Sequence, residues 1–121
     1  MKLADMQISN RGDVIVVAIT GEIDMSNVSE LQAAVTDATS NEAAGLALDL
    51  SRLDYLDSAG IQLLFRLGTD LATRGQRFVL VVADDSVVAD TFRLAGVGGR
   101  MELVPTIDRA MTVLTAETNS S

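Results

Sequence analysis

The spacing of apolar residues along the chain switches repeatedly between the period of a strand and that of a helix. Leu3 to Ser9 and Val14 to Thr20 have strand character, and Asn10-Arg11-Gly12-Asp13 between them is built of turn formers, so an antiparallel hairpin is predicted. Asn27 with Glu30 three residues later resembles a capping box, after which Val28, Leu31, Val35 and Ala38 recur at helical spacing until about Ser40. Leu46-Ala47-Leu48-Asp49-Leu50 reads as a leucine-rich strand, and Ser51 to Asp57 as the connection to a helix beginning near Ser58. Gly75 suits the C-terminal cap of that helix, and Phe78 to Ala83 is a nearly continuous apolar strand, as expected of a central, doubly covered position. Ser86 can cap a third helix whose Val88, Phe92 and Ala95 share a face and which Gly96 ends. Met101 to Val104 forms a last short strand. Thr106, after Pro105, opens a fourth helix with Ile107, Ala110, Met111 and Leu114 at core spacing.

The predicted order is strand, strand, helix, then three alternating strand-helix units, an α/β or α+β pattern. No linker is long enough to divide it, so residues 1–114 are expected to form one domain, followed by a disordered polar tail at 115–121. Within the helix after Ser58, a turn of 100° per residue puts Ile61, Leu64, Phe65, Gly68, Leu71 and Ala72 on one side. Gln62, Arg66, Thr69, Asp70 and Thr73 lie opposite. Leu63 falls on the polar side, either as a solitary surface leucine or as an anchor for a partner.

Composition narrows the chemistry. The 121 residues are 48% apolar but carry only four aromatics, Tyr55, Phe65, Phe78 and Phe92, so the core must be aliphatic. There is no cysteine and no histidine, which removes disulfides, thiolate metal sites, the cysteine nucleophile and the commonest general base. Nine cations against 17 acids leave a net charge of −8 with no basic cluster, which argues against direct nucleic-acid binding. The longest apolar runs fall far short of the roughly 20 residues of a membrane-spanning helix. The N-terminus lacks the pattern of a secretory signal, so a cytoplasmic protein is expected.

The most informative residues are Asp57-Ser58-Ala59-Gly60, where a small hydroxyl follows an acid at a predicted strand-to-helix turn. A serine at a helix start is surrounded by the free N–H groups of the first turn. It can therefore cap the helix, or accept a phosphate that those donors and the helix dipole tolerate. Asp24 is either a turn carboxylate or part of a recognition surface. Asp49, Asp54 and Asp57 lack calcium-loop spacing and are read as solvated or turn-forming acids, so no metal is expected. Gly96-Val97-Gly98-Gly99 follows a helix and does not fit GxGxxG, so it is read as a helix stop and loop, and no cofactor is expected.

Gly21-Glu22-Ile23-Asp24, Leu48-Asp49-Leu50-Ser51 and Leu56-Asp57-Ser58-Ala59-Gly60-Ile61, in this order, resemble the STAS domain of bacterial anti-sigma factor antagonists over roughly residues 3 to 114. The resemblance implies a mixed sheet of four to five strands with about four helices packed mainly on one side, and a protein that acts by binding rather than catalysis. The implied partner is an anti-sigma factor, commonly a serine kinase of the ATPase-like fold, whose capture releases a sigma factor. Phosphorylation turns the binding off, and a PP2C-type phosphatase restores it. The family's acceptor serine lands on Ser58 and its upstream acid on Asp24. The resemblance therefore implies a partner surface of Asp24, Asp57, Ser58, Ala59 and Gly60, with Leu63 at its margin. Many members carry a second hydroxyl where this chain has Ala59, which leaves Ser58 the only acceptor in the turn. Some members are never phosphorylated, and the same fold serves as an unswitched scaffold, as in a stressosome component or the accessory subunit of a lipid transporter.

Overall fold

The β-branched run from Val14 to Ile19 is apolar at nearly every position, and it sits where such a run must, inside a sheet covered on both faces. In the computed structural model, which describes residues 4–119, it lies in β2 (Val14–Ile23). β1 (Ala4–Arg11) pairs antiparallel with β2, with Arg11 opposite Val14, so the hairpin turns at Gly12-Asp13. Gly12 adopts φ 62 there, a conformation glycine takes without steric cost. Leu3, predicted to begin β1, lies outside the described residues. β3 (Gly45–Asp49), β5 (Arg77–Val81) and β6 (Glu102–Val104) follow in parallel, giving the order β1-β2-β3-β5-β6.

The sixth strand, β4 (Leu53–Leu56), corrects the predicted connection and the predicted total of four to five strands. It runs parallel to the C-terminal end of β2, with Ile23 opposite Leu56. Only Leu53 and Leu56 are buried, so this short strand carries no alternation by which to recognise it.

The helices α1 (Val28–Ala38), α2 (Ser58–Thr73) and α3 (Val87–Ala95) cover one face, and α4 (Ile107–Asn119) covers the other. Ile15, Val17 and Ile19 alternate with Val14 and Val16 and so feed two cores. The first joins Leu46, Leu48 and Leu80 to α1, α2 and α3. The second joins Ala47, Val79 and Val81 to Ala110 and Leu114 of α4. Three helices on one side and one on the other match the expected lopsided layering.

Two helices differ from expectation. In α2 the buried residues are Gly60, Leu63, Leu64, Leu67 and Leu71. Leu63 is 1% exposed and belongs to the main core, so it is neither a surface leucine nor a partner anchor. α2 packs against α1 as well as the sheet, which widens its buried arc beyond the stripe that Ile61, Phe65 and Ala72 suggested. α4 continues through Asn119, where a disordered tail was expected from 115. Thr115 Oγ1 donates to the Met111 carbonyl at 2.7 Å, and no glycine or proline follows to end the helix. Ser120 and Ser121 lie outside the described residues.

Candidate functional site

The parallel pairing of Ile23 with Leu56 ends two strands side by side, so the residues that follow them, Asp24 and Asp57, enter adjacent turns. Asp57 is the N-cap of α2. Its backbone is extended (φ −100, ψ −171), and its Oδ1 accepts the Gly60 N–H at 3.0 Å. The expected serine cap is thereby corrected, because a shorter hydroxyl one residue later is already inside the first turn. The other carboxylate oxygen, Oδ2, accepts the Met25 N–H at 3.3 Å, and the Asp57 N–H donates to the Ile23 carbonyl at 3.2 Å. One aspartate thus starts α2 and ties it to the loop after β2.

The loop that Asp57 grips is itself internally braced. Asp24 Oδ1 accepts the Ser26 N–H at 2.9 Å and the Ser26 hydroxyl, and the Asp24 carbonyl accepts the Asn27 and Val28 N–H groups at 3.1 Å. Asn27 does not cap α1 with its side chain, which corrects the capping-box reading. Its Oδ1 instead accepts the Asp24 N–H at 3.0 Å, and its Nδ2 donates to the Glu22 carbonyl at 2.9 Å. The Asn side chain satisfies backbone groups at the end of β2, a use that spacing alone does not distinguish from capping.

Gly60 is buried and sets how closely the turn packs on the strands beneath it. A Cβ there would lie 3.1 Å from Ile23 Cγ2 and 3.2 Å from Leu56 Cβ, so glycine lets α2 start this close to β2 and β4 without pressing on either strand. Ala59 is half-buried and packs against the main core. Ser58 is exposed, and its hydroxyl has no hydrogen-bond partner among the described residues. Met25, whose N–H Asp57 accepts, is 80% exposed, and Tyr55 on β4 is 48% exposed, two apolar side chains that spacing along the chain does not single out. The signal that could have found Met25 is its place after an acid at a strand end, where a turn leaves a side chain no core to enter.

Other singled-out residues keep their plain roles. Asp49 Oδ1 accepts the Ser51 N–H and hydroxyl at 3.0 and 2.7 Å, as a turn-forming acid does. Ser86 caps α3 by accepting the Ala89 N–H at 3.1 Å, and Gly96 ends it at φ 72. Among the described residues no group of three acids is placed to hold a metal ion, and no helix is long and apolar enough to cross a membrane.

Fold and turn together define a small α/β domain that presents an uncommitted hydroxyl and two clamped acidic loops at the carboxyl ends of adjacent parallel strands. The chain belongs to the STAS family: residues 6–105 match the family described as "Mlab, STAS domain". It is 28% identical over 106 residues, 87% of this chain and 84% of the relative, to the anti-sigma-F factor antagonist RsfB of Mycobacterium tuberculosis. The crystal structure of an anti-sigma factor antagonist from Mycobacterium paratuberculosis superposes with a TM-score of 0.82 at 26% identity, over 93% of this chain and 94% of that one. The Bacillus cell fate determinant SpoIIAA in its phosphorylated form shares the fold, with a TM-score of 0.63 at 20% identity over 90% and 99% of the two chains.

Proposed function

We propose that this protein is an anti-sigma factor antagonist whose binding is switched off by phosphorylation of Ser58. It captures an anti-sigma factor, of the serine-kinase type with an ATPase-like fold, and so releases the sigma factor held there. The observation that carries this reading is the Ser58 hydroxyl, exposed and unengaged at the start of a helix whose capping another residue performs. Such a hydroxyl can be modified at little cost to the fold. The names of the mycobacterial relative and the mycobacterial structure support the class of partner.

The surface so assigned consists of Asp24, Met25, Asp57 and Ser58. In the unmodified state it works by docking and not by catalysis, in the cytoplasm where sigma factors act. A phosphate on Ser58 adds roughly −1.5 to −2 charge beside Asp57 and the Asp24 loop. The free N–H groups of the first turn of α2 accommodate it, so the fold survives while the docked partner meets repulsion and a new desolvation cost. A PP2C-type phosphatase returns the protein to its binding state.

Affinity capture from a lysate of the source organism with wild-type, Ser58→Ala and Ser58→Asp baits tests the reading. An ATPase-fold anti-sigma factor should accompany wild type and Ser58→Ala and be lost from Ser58→Asp, and wild type recovered from cells should carry phosphate on Ser58. Capture of the same transporter or stressosome proteins by all three baits would replace the switch with an unswitched scaffold.

A further inference from the structure

Two local costs to stability fall on one groove, at the far end of α2 from Ser58. The groove, of about 430 Å³, runs between the second half of α2, the start of β5 and the residues entering β6. Gly68 forms part of its wall in the interior of α2, where glycine is less stable than alanine because it loses more backbone freedom on folding. Its φ is not in the left-handed region, and a Cβ there would meet Phe78 Cδ2 at 3.4 Å and Met101 Sδ at 4.0 Å, ordinary van der Waals contacts. Neither backbone nor packing asks for glycine at this position. A methyl group would simply stand in the groove. Gln76, on the same groove, donates its Nε2 to the Ser40 and Ala43 carbonyls at 2.8 and 2.9 Å. Its Oε1 is buried without a partner, the only such side-chain atom among the described residues. Gln76 serves the fold by tying the Ser40 and Ala43 carbonyls to the start of β5, whereas Gly68 is a departure from local rules that the fold does not require, and such departures concentrate at functional sites.

The chemistry of the groove comes from its arginines. Arg77 is paired with Glu102 at 2.7 Å. Arg100 has no acid within ion-pair reach among the described residues, and its guanidinium lies over the Phe65 ring, 4.1 Å from the centroid. In a chain of net charge −8, an exposed arginine held against an aromatic ring and left without an acid is a ready receptor for an anion. Its planar fork of N–H donors suits a carboxylate bound through both oxygens. The walls, Phe65, Phe78 and Met101, are apolar and favour a ring through edge-to-face and sulfur–aromatic contacts. We propose that this groove binds a small aromatic carboxylate, with the carboxylate on Arg100 and the ring over Gly68 against Phe78 and Met101. Ten residues of helix separate Gly68 from Ser58, about 15 Å along the axis, so this is a site apart from the switch turn.

Calorimetric titration of the full chain with phenylacetate, with methyl phenylacetate as the uncharged counterpart, tests the proposal. Phenylacetate should saturate the protein at millimolar concentration, and the ester should bind about tenfold more weakly for want of a charge-assisted hydrogen bond. Arg100→Gln should lower the affinity for phenylacetate similarly with Tm unchanged, since the side chain is exposed. Gly68→Ala should raise Tm and abolish binding, an opposition of effects that a damaged fold does not produce. Absence of saturable binding, equal binding of acid and ester, or Gly68→Ala binding as wild type would each overturn the proposal.

Discussion

Asp57 holds the backbone of Met25: its Oδ2 accepts the Met25 N–H at 3.3 Å while its Oδ1 caps α2 through Gly60, so a single carboxylate joins two loops 32 residues apart in sequence. Losing both bonds in Asp57→Ala should destabilise the protein by about 1–2 kcal/mol, the scale of an N-cap. Asp57→Asn keeps an acceptor for Gly60 but turns an amide N–H toward the Met25 N–H, so it should fall between wild type and alanine. Urea denaturation of the three proteins measures this order, and an alanine variant as stable as wild type would show that the clamp does not form.

Ser58 should behave in the opposite way. Because its hydroxyl makes no hydrogen bond among the described residues, Ser58→Ala should change stability by less than about 0.5 kcal/mol, as for a surface residue away from any special contact. A loss near 1 kcal/mol in the same denaturation experiment would assign the capping role to the serine.

Leu63 offers a sharper contrast between the helical pattern and the packed molecule. At 1% exposure its truncation to alanine should cost about 2–5 kcal/mol, whereas a leucine on the solvent side would cost almost nothing. A thermal melt of Leu63→Ala decides between them, with a lowered Tm expected.

That contrast shows which parts of the fold were legible in the sequence. The hairpin turn at Gly12, the Ser86 and Gly96 ends of α3 and the doubly buried β3 and β5 could be read because one local rule governs each of them. β4 could not, because four residues with only their ends buried carry neither alternation nor an apolar run, and their strand character comes from pairing with Gly21 to Ile23. Leu63 was misplaced because the wheel knows one helix, while burial of α2 depends on both the sheet and α1. At the site, Asp57-Ser58 announced a helix start, but which of the two caps it depended on reach: the longer carboxylate, one residue earlier, bonds Gly60 and Met25 together.

Gly60 should tolerate a methyl group poorly. A Cβ would press on Ile23 Cγ2, which can shift, but also on Leu56 Cβ at 3.2 Å, which is fixed to its strand. Overpacking of this kind costs about 1–3 kcal/mol, and the gain in helix propensity from glycine to alanine, roughly 1 kcal/mol, offsets only part of it. Gly60→Ala should therefore be destabilised by about 1 kcal/mol in urea titration, and a more stable variant would mean that α2 has room to move away from β2 and β4.

Met25 joins the structural and functional halves of the site, since its backbone is clamped by Asp57 while its side chain is 80% exposed. The two roles can be separated by mutation. Met25→Ala keeps the N–H that Asp57 accepts and removes only the exposed thioether, so stability should stay within about 0.5 kcal/mol of wild type. An exposed, flexible apolar side chain in the loop tied to the turn of Ser58, the proposed switch, is suited to fill a pocket on a docked partner, and truncating such an anchor at an interface costs more than about 1 kcal/mol. Affinity for the anti-sigma factor, measured by titration of the purified pair, should accordingly fall about fivefold or more. Unchanged affinity would leave the docking surface to Asp24, Asp57 and Ser58 alone, and a fall in stability of the same size as the fall in affinity would place Met25 in the fold and not in the interface.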